Sequence, residues 1–175
     1  MAKVYKVKNK NHLQNLFNEL DLNDYKYVII GSSFAALALT KFLKKKCLIL
    51  EAGDQFISGS NKTLKISSLG SIKLKERNHS ISFGGTSNLW TGTLSELSEF
   101  EFNGYKCKKN WPITYDELKT FYSDSWHFFG YKNNDIKIDN FKDFQVRKFI
   151  IQQKPLRADR ELLKTNSDIL LNIKV

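Results

Sequence analysis

The sequence predicts an α/β fold in which parallel strands alternate with helices, and three observations carry that prediction. The segment from Tyr27 to Gly53, YVIIGSSFAALALTKFLKKKCLILEAG, passes from an unbroken apolar stretch through a turn of small residues into a helical pattern, then into a second apolar stretch. Unbroken apolar strands are what a parallel sheet covered on both faces requires. The second stretch ends in an acid, Glu51, 20 residues beyond Gly31, the glycine that opens the turn. The 175 residues, 41% hydrophobic and 13% aromatic, suffice for one buried core and exclude a disordered chain.

Taken in order, residues 1–10 read as a frayed basic arm. Between Asn11 and Leu20, Leu13, Leu16, Phe17 and Leu20 fall at helical spacing and predict an amphipathic helix covering one face of the domain. Tyr25 to Ile30 is the first strand, Ser33 to Lys45 the helix and Cys47 to Glu51 the second strand, with a right-handed crossover expected between them. Residues 54–80 hold Gly59, Gly70 and many Ser and Asn, and read as a long excursion with one hairpin over Leu64–Ile66 and Ile72–Leu74. Ser82 to Thr93, SFGGTSNLWTGT, is an exposed turn rich in donors, and residues 94–112 are a polar connection ending at Trp111-Pro112. Thr114 and Glu117 form a capping box, with Ile113 and Leu118 placed as a hydrophobic staple. They open a helix from Tyr115 to Phe129 whose aromatic stripe (Phe121, Tyr122, Trp126, Phe129) reads as core. Residues 131–147 read as a linker, Arg157 to Lys164 as a short helix and Ile169 to Val175 as the last strand. The expected organisation is therefore an arm and helix over 1–24, a central domain over 25–130, and a linker leading to a further section over 131–175.

The strand-turn-helix-strand order can hold a dinucleotide. A helix starting near Ser33 aims free N–H groups and the positive end of its dipole at a diphosphate, and an acid at the tip of the next strand accepts hydrogen bonds from ribose hydroxyls. The dinucleotide fingerprint Gly-x-Gly-x-x-Gly/Ala is met in part: Gly31-Ser32-Ser33-Phe34-Ala35-Ala36 keeps the first glycine and an allowed final alanine, but carries Ser33 at the middle position. A glycine there lets backbone approach a phosphate with no Cβ in the way. Serine is small and its hydroxyl can donate to a phosphate oxygen. The bland alternative is a plain crossover whose small residues only let helix and strand pack closely.

Together, the strand-turn-helix with LILEAG, the GGTSNLW turn and the WPITYDELKTFY helix resemble the glucose-methanol-choline (GMC) family of FAD-dependent oxidoreductases, over roughly residues 25–130 and more weakly 162–175. The resemblance implies a Rossmann-like FAD-binding unit with a parallel sheet, irregular and helical insertions, and a truncated chain. It implies that Gly31, Ser33, Phe34 and Ala35, with Ser32 in the same turn, hold the FAD pyrophosphate, and that Glu51 and its neighbour Ala52 meet the adenosine ribose. Gly84, Gly85, Thr86, Ser87 and Asn88 would run beside the flavin ring, with Trp90 packing nearby. Some members attach flavin covalently through a histidine just before this tryptophan. Leu89 stands there, so the FAD would be held non-covalently. The resemblance also places a catalytic histidine near the end of a much longer chain, and none of His12, His79 or His127 lies in a matching motif. No catalytic residue is assigned. The expected function is the FAD-binding N-terminal part of an oxidoreductase acting on CH–OH groups of a sugar or alcohol, inactive alone, with a separate C-terminal half as a partner. An NAD-dependent or other nucleotide-binding fragment, or a non-catalytic remnant, are the alternatives.

Charge and cysteines narrow the classes further. The net charge of +10 invites a nucleic-acid partner, but 24 of the 28 basic residues are lysines spread along the chain, whereas bidentate phosphate and base recognition favours arginine. No nucleic-acid binding is expected. Cys47 reads as a buried apolar residue and Cys107 lies in a lysine-rich loop, a spacing that suggests neither a disulfide nor a metal site. The longest apolar run, Phe34 to Leu39, is far short of a membrane span, and MAKVYKVKNKNHLQ has no apolar core or cleavage site. A cytoplasmic protein is expected.

Overall fold

The computed structural model describes residues 1–55, 79–102, 111–131, 150–151 and 154–173. The expected hairpin at 64–66 and 72–74, most of the linker and Cys107 fall outside these residues. The chain divides into two units, residues 1–90 with 157–175, and residues 91–156.

The first unit is an α/β layer structure. Its elements are β1 (Lys3–Lys6), α1 (Lys10–Glu19), β2 (Tyr27–Ile30), α2 (Phe34–Leu43) and β3 (Cys47–Glu51), with α6 (Ala158–Leu162) and β6 (Ser167–Leu171) closing it. Among the described residues the sheet has four strands in the order β1-β6-β3-β2, and every pairing is parallel. The expected basic arm is thus a strand: Lys3 to Lys6 pair with Asp168 to Leu171. Four residues bounded by lysines carry too little apolar periodicity to be read as a strand. The pairing supplies the missing reason, because it satisfies main-chain groups along β6.

Both faces of the central strands are covered, as a parallel sheet demands. On one face α1 lays Leu16 over Leu48, Leu170, Val7 and Ile173, with Leu13, Phe17, Leu20 and Tyr25 around them. Alternation along the strands turns Ile49, Ile169 and Leu171 to the other face, where all three are fully buried. The helices α2 and α6 touch each other, and Leu37 of one and Leu162 of the other are fully buried.

Element boundaries differ from expectation, by one or two residues at α1 (Lys10–Glu19) and α6 (Ala158–Leu162) and also at β2, α2 and β6. The strand expected over 25–30 begins at Tyr27, because Tyr25 and Lys26 lead in from a short 3-10 turn. The expectation that this strand is covered on both faces is wrong for its outer half: Ile29 is buried, but Val28 and Ile30 are 61% and 69% exposed. The helix expected to reach Lys45 stops at Leu43, where Lys44 turns left-handed at φ 49°. The last strand starts at Ser167 and ends at Leu171, before Asn172 at φ 65°.

The second unit holds β4 (Thr93–Leu94), α3 (Glu99–Phe102), α4 (Tyr115–Lys119), α5 (Tyr122–Phe128) and β5 (Ile150–Ile151), with β4 and β5 paired antiparallel. The polar connection expected over 94–112 therefore contains α3. The single helix expected from Tyr115 to Phe129 is two. The capping box forms as read: the Thr114 hydroxyl accepts from the Glu117 amide, and the Glu117 carboxylate accepts from the Thr114 amide. One turn later the Thr120 hydroxyl donates to the Glu117 carbonyl at 2.7 Å, a local bond that competes with the helix ladder. The aromatic stripe is buried unevenly: Trp126 is buried while Phe121 is 59% exposed.

Candidate functional site

The site grows from the end of β2. Gly31, at φ 88°, donates its N–H to the Leu50 carbonyl at 2.8 Å. That bond is the last rung of the β2–β3 pairing; the positive φ then turns the chain out of the sheet, and glycine is favoured there because the left-handed region strains any residue with a Cβ. Ser32 is driven inward to 1% exposure. Ser33 is the N-cap of α2, extended at φ −74° and ψ −175°, and its hydroxyl makes no capping bond.

Glu51 faces this turn across the β2–β3 pair. Its Oε2 accepts from the Ser32 amide at 3.1 Å and from the Ser32 hydroxyl at 2.5 Å, and its Oε1 accepts from the Gly53 amide at 2.8 Å. The residue is 6% exposed, so these donors stand in for its lost hydration. A carboxylate has about four acceptor positions, and with one donor on Oε1 a position there stays open.

Ser32 also joins the two glycine turns. Its Oγ accepts from the Gly84 amide at 2.8 Å while donating to Glu51. Gly53 allows the approach: a Cβ on it would lie 2.3 Å from the Ser82 nitrogen. Gly84 and Gly85 both have positive φ and lead into a 3-10 turn over Gly85–Leu89. A Cβ on Gly84 would strike the Asn88 side chain at 2.3 Å, whereas at Gly31 and at Gly85 it would meet no atom within 4 Å. Both of those glycines border open space.

The N-terminus of α2 lies beside the same turn. The Phe34 amide donates to the Ser87 hydroxyl at 3.1 Å, and the Phe34 ring meets the Trp90 ring edge-on at 5.0 Å. Asn88 donates its Nδ2 to the Phe83 carbonyl at 2.8 Å, which fixes the orientation of the amide, and its Oδ1 is buried with no hydrogen-bond partner. Ala35, Ala52 and Thr86 are exposed. A cavity of about 590 Å³ is lined in part by Ala52, Asp54, Asn9 and Asn172, at the carboxyl ends of β1, β3 and β6, the end at which open α/β sheets bind ligands.

The fold thus brings together two patches that are far apart in sequence, Gly31–Ala35 and Gly84–Trp90, on a single buried acid. Reading the sequence missed Ser32 as the hinge between them, and Gly53 and Ser82 as the point of closest approach. The signal for Gly53 was its place directly after the strand-tip acid. Ser32 carried none, because a serine in a turn has many uses. Trp111 to Phe121 belong to the other unit.

The residues present fit a diphosphate-bearing cofactor. The Ser33 hydroxyl is free of a cap, the first N–H groups of a ten-residue helix have no partner within the helix, and two glycines front open space. Among the described residues no cluster of His, Cys, Asp and Glu could hold a metal ion, and no helix is long and apolar enough to cross a membrane. Set against known protein families, curated proteins and solved structures, the chain matches none.

Proposed function

We propose that this chain binds FAD non-covalently through the junction of its two glycine turns, as part of an oxidoreductase acting on the CH–OH group of a small alcohol or sugar. The single observation that supports a dinucleotide is the Ser32 hydroxyl, which ties Glu51 to Gly84 and so sets two glycine turns side by side at the start of α2. In this reading the N–H groups of Ala35 and Ala36, which follow the Phe34 amide held by Ser87, and the Ser33 hydroxyl meet the diphosphate, the open position on Glu51 Oε1 receives a ribose hydroxyl, and the unpartnered Asn88 Oδ1 receives a donor from the ligand. The choice of flavin over nicotinamide, and of a CH–OH substrate, rests on the likeness of GGTSNLW and WPITYDELKTFY to the GMC family. Bound flavin would supply the acceptor for a hydride leaving the substrate carbon. The residues of this chain bind and orient it, and no proton-accepting role falls to any of them.

One observation favours a second reading, a crossover that binds nothing. The junction satisfies itself in part, with the Phe34 amide given to Ser87 and three donors on Glu51. Titration separates the two. The purified chain, titrated with FAD and separately with NAD, should quench flavin fluorescence saturably and bind NAD at least about tenfold more weakly, a gap of about 1.4 kcal/mol. Preference for NAD would overturn flavin while keeping the dinucleotide. Binding of neither would establish the crossover as structural.

A further inference from the structure

Among the described residues the two edges of the sheet are built differently. β1, at one edge, reads KVYK, with a lysine at each end, a common way of blunting an edge against further pairing. β2, at the other, reads YVII and carries no charge. Gly31 gives its N–H to the Leu50 carbonyl. Alternation along a parallel strand then turns the N–H groups of Tyr27 and Ile29 toward β3 and those of Val28 and Ile30 outward.

The surfaces flanking that edge are apolar on both sides. Val28 and Ile30 lie in register with Leu48 and Leu50, on the face that α1 covers over β3 and β6, yet they are 61% and 69% exposed. On the opposite side α2 buries Ala36, Leu37 and Thr40. It leaves a second apolar stripe at Ala35, Leu39 and Phe42, with Leu39 47% and Phe42 64% exposed. Those three positions fall on one helix face. A strand of a parallel sheet is ordinarily covered on both faces, and a helix apolar on two faces packs against two neighbours.

Charge says what kind of neighbour. The exposed Lys26, Lys44 and Lys45 border the apolar zone, on a chain of net charge +10. These lysines lie at the amino end of β2 and the carboxyl end of α2, so a segment with acidic residues at the end that meets them brings opposite charge, whereas two copies of a chain of net charge +10 repel each other. We propose that the β2 edge is a docking site for a different polypeptide, which adds an apolar β-strand flanked by acidic residues to the sheet beside β2. This inference is independent of the cofactor reading.

The test uses the whole chain and a short synthetic peptide with a valine–isoleucine core between aspartate pairs, followed by fluorescence anisotropy and amide exchange. Saturable binding is expected, with new protection at Val28 and Ile30, and with about tenfold loss of affinity when the aspartates are replaced by lysines. The variants Val28→Thr with Ile30→Thr, and separately Leu39→Gln with Phe42→Gln, keep strand and helix formers at exposed positions. Each pair should weaken binding at least about fivefold while leaving the circular dichroism unchanged. Equal affinity for the acidic and basic peptides, no response to either pair, or no binding would overturn the proposal. A concentration-dependent dimer by sedimentation, abolished by Val28→Thr with Ile30→Thr, would overturn it in favour of a second copy.

Discussion

Glu51 was legible in the sequence as the acid at a strand tip, but its bonding partners were not. Its carboxylate holds the Ser32 amide and hydroxyl and the Gly53 amide, so it is a structural brace before it is anything else. Removing it would strand three buried donors at about 1–3 kcal/mol each, less whatever water recovers. Glu51→Ala is therefore expected to lower the unfolding free energy by about 3 kcal/mol or more, and loss of FAD binding in that variant would not separate a lost ribose contact from a weakened fold. A denaturant midpoint within error of the parent would refute the brace. Ser33 is the cleaner probe, because its hydroxyl makes no capping bond. Ser33→Ala should weaken FAD binding by about 1 kcal/mol, the usual worth of one hydrogen bond, and leave the midpoint in place. Equal FAD affinity in the two proteins would remove Ser33 from the site. Ser33 stands where the dinucleotide fingerprint has its middle glycine. In the fold it places a free hydroxyl at the helix start.

At the level of elements, local chemistry was legible and non-local pairing was not. The capping box at Thr114 and Glu117 was read from two residues three apart, and it forms. The strand β1 was invisible, because what makes Lys3–Lys6 a strand is β6, more than a hundred residues away. The break between α4 and α5 was missed because Thr120 is unremarkable until its hydroxyl is seen on the Glu117 carbonyl. The capping box has a pH signature. Bonds from the Thr114 amide and then the Thr114 hydroxyl hold the Glu117 carboxyl below its ordinary value of 4.5. A carboxyl depressed on folding contributes stability that is complete above the unfolded value and lost as pH falls through the folded one. Exchange protection of the amides at the start of α4 should therefore be level from neutral pH down to that value and decline below it. In Glu117→Gln the decline should vanish. A parent profile that stays flat in acid, or a Gln variant that declines identically, would show that the box does not ionise as described.

Across the sheet as a whole, a polar cluster at the amino ends of the strands fastens what the hydrophobic layers leave unspecified. The Tyr25 hydroxyl donates to Asp168 of β6 at 2.5 Å, and Lys46, just before β3, lies 3.4 Å from the same carboxylate and 3.3 Å from Asp24, with its ammonium 4.6 Å from the centre of the Tyr25 ring. Residues leading into β2 and β3 are thereby tied to β6, and a one-residue slip of any strand would break the cluster and reverse its faces. Burial, then the hydrogen bond to Asp168 and its negative charge, push the Tyr25 phenol above its ordinary value of 10. Burial disfavours the Lys46 ammonium, but the hydrogen bond to Asp24 and the charge of Asp168 outweigh it, and its pKa rises too. A group whose pKa is raised on folding gives stability that is complete below the unfolded value and lost as pH rises toward the folded one, so this cluster should weaken in alkali, from about pH 10 upward. Tyr25→Phe isolates the effect, since it keeps the ring under Lys46 and removes only the hydroxyl. Urea unfolding should find the variant about 1–2 kcal/mol less stable from pH 7 to 9, in keeping with a part-exposed bond to a charged acceptor. That gap should narrow as pH rises above 10, because the phenol of the unfolded chain ionises there while the folded one is held protonated against Asp168. A gap of constant size up to pH 11 would mean that the hydroxyl serves packing alone, and that register is held by the apolar layers without help from the cluster.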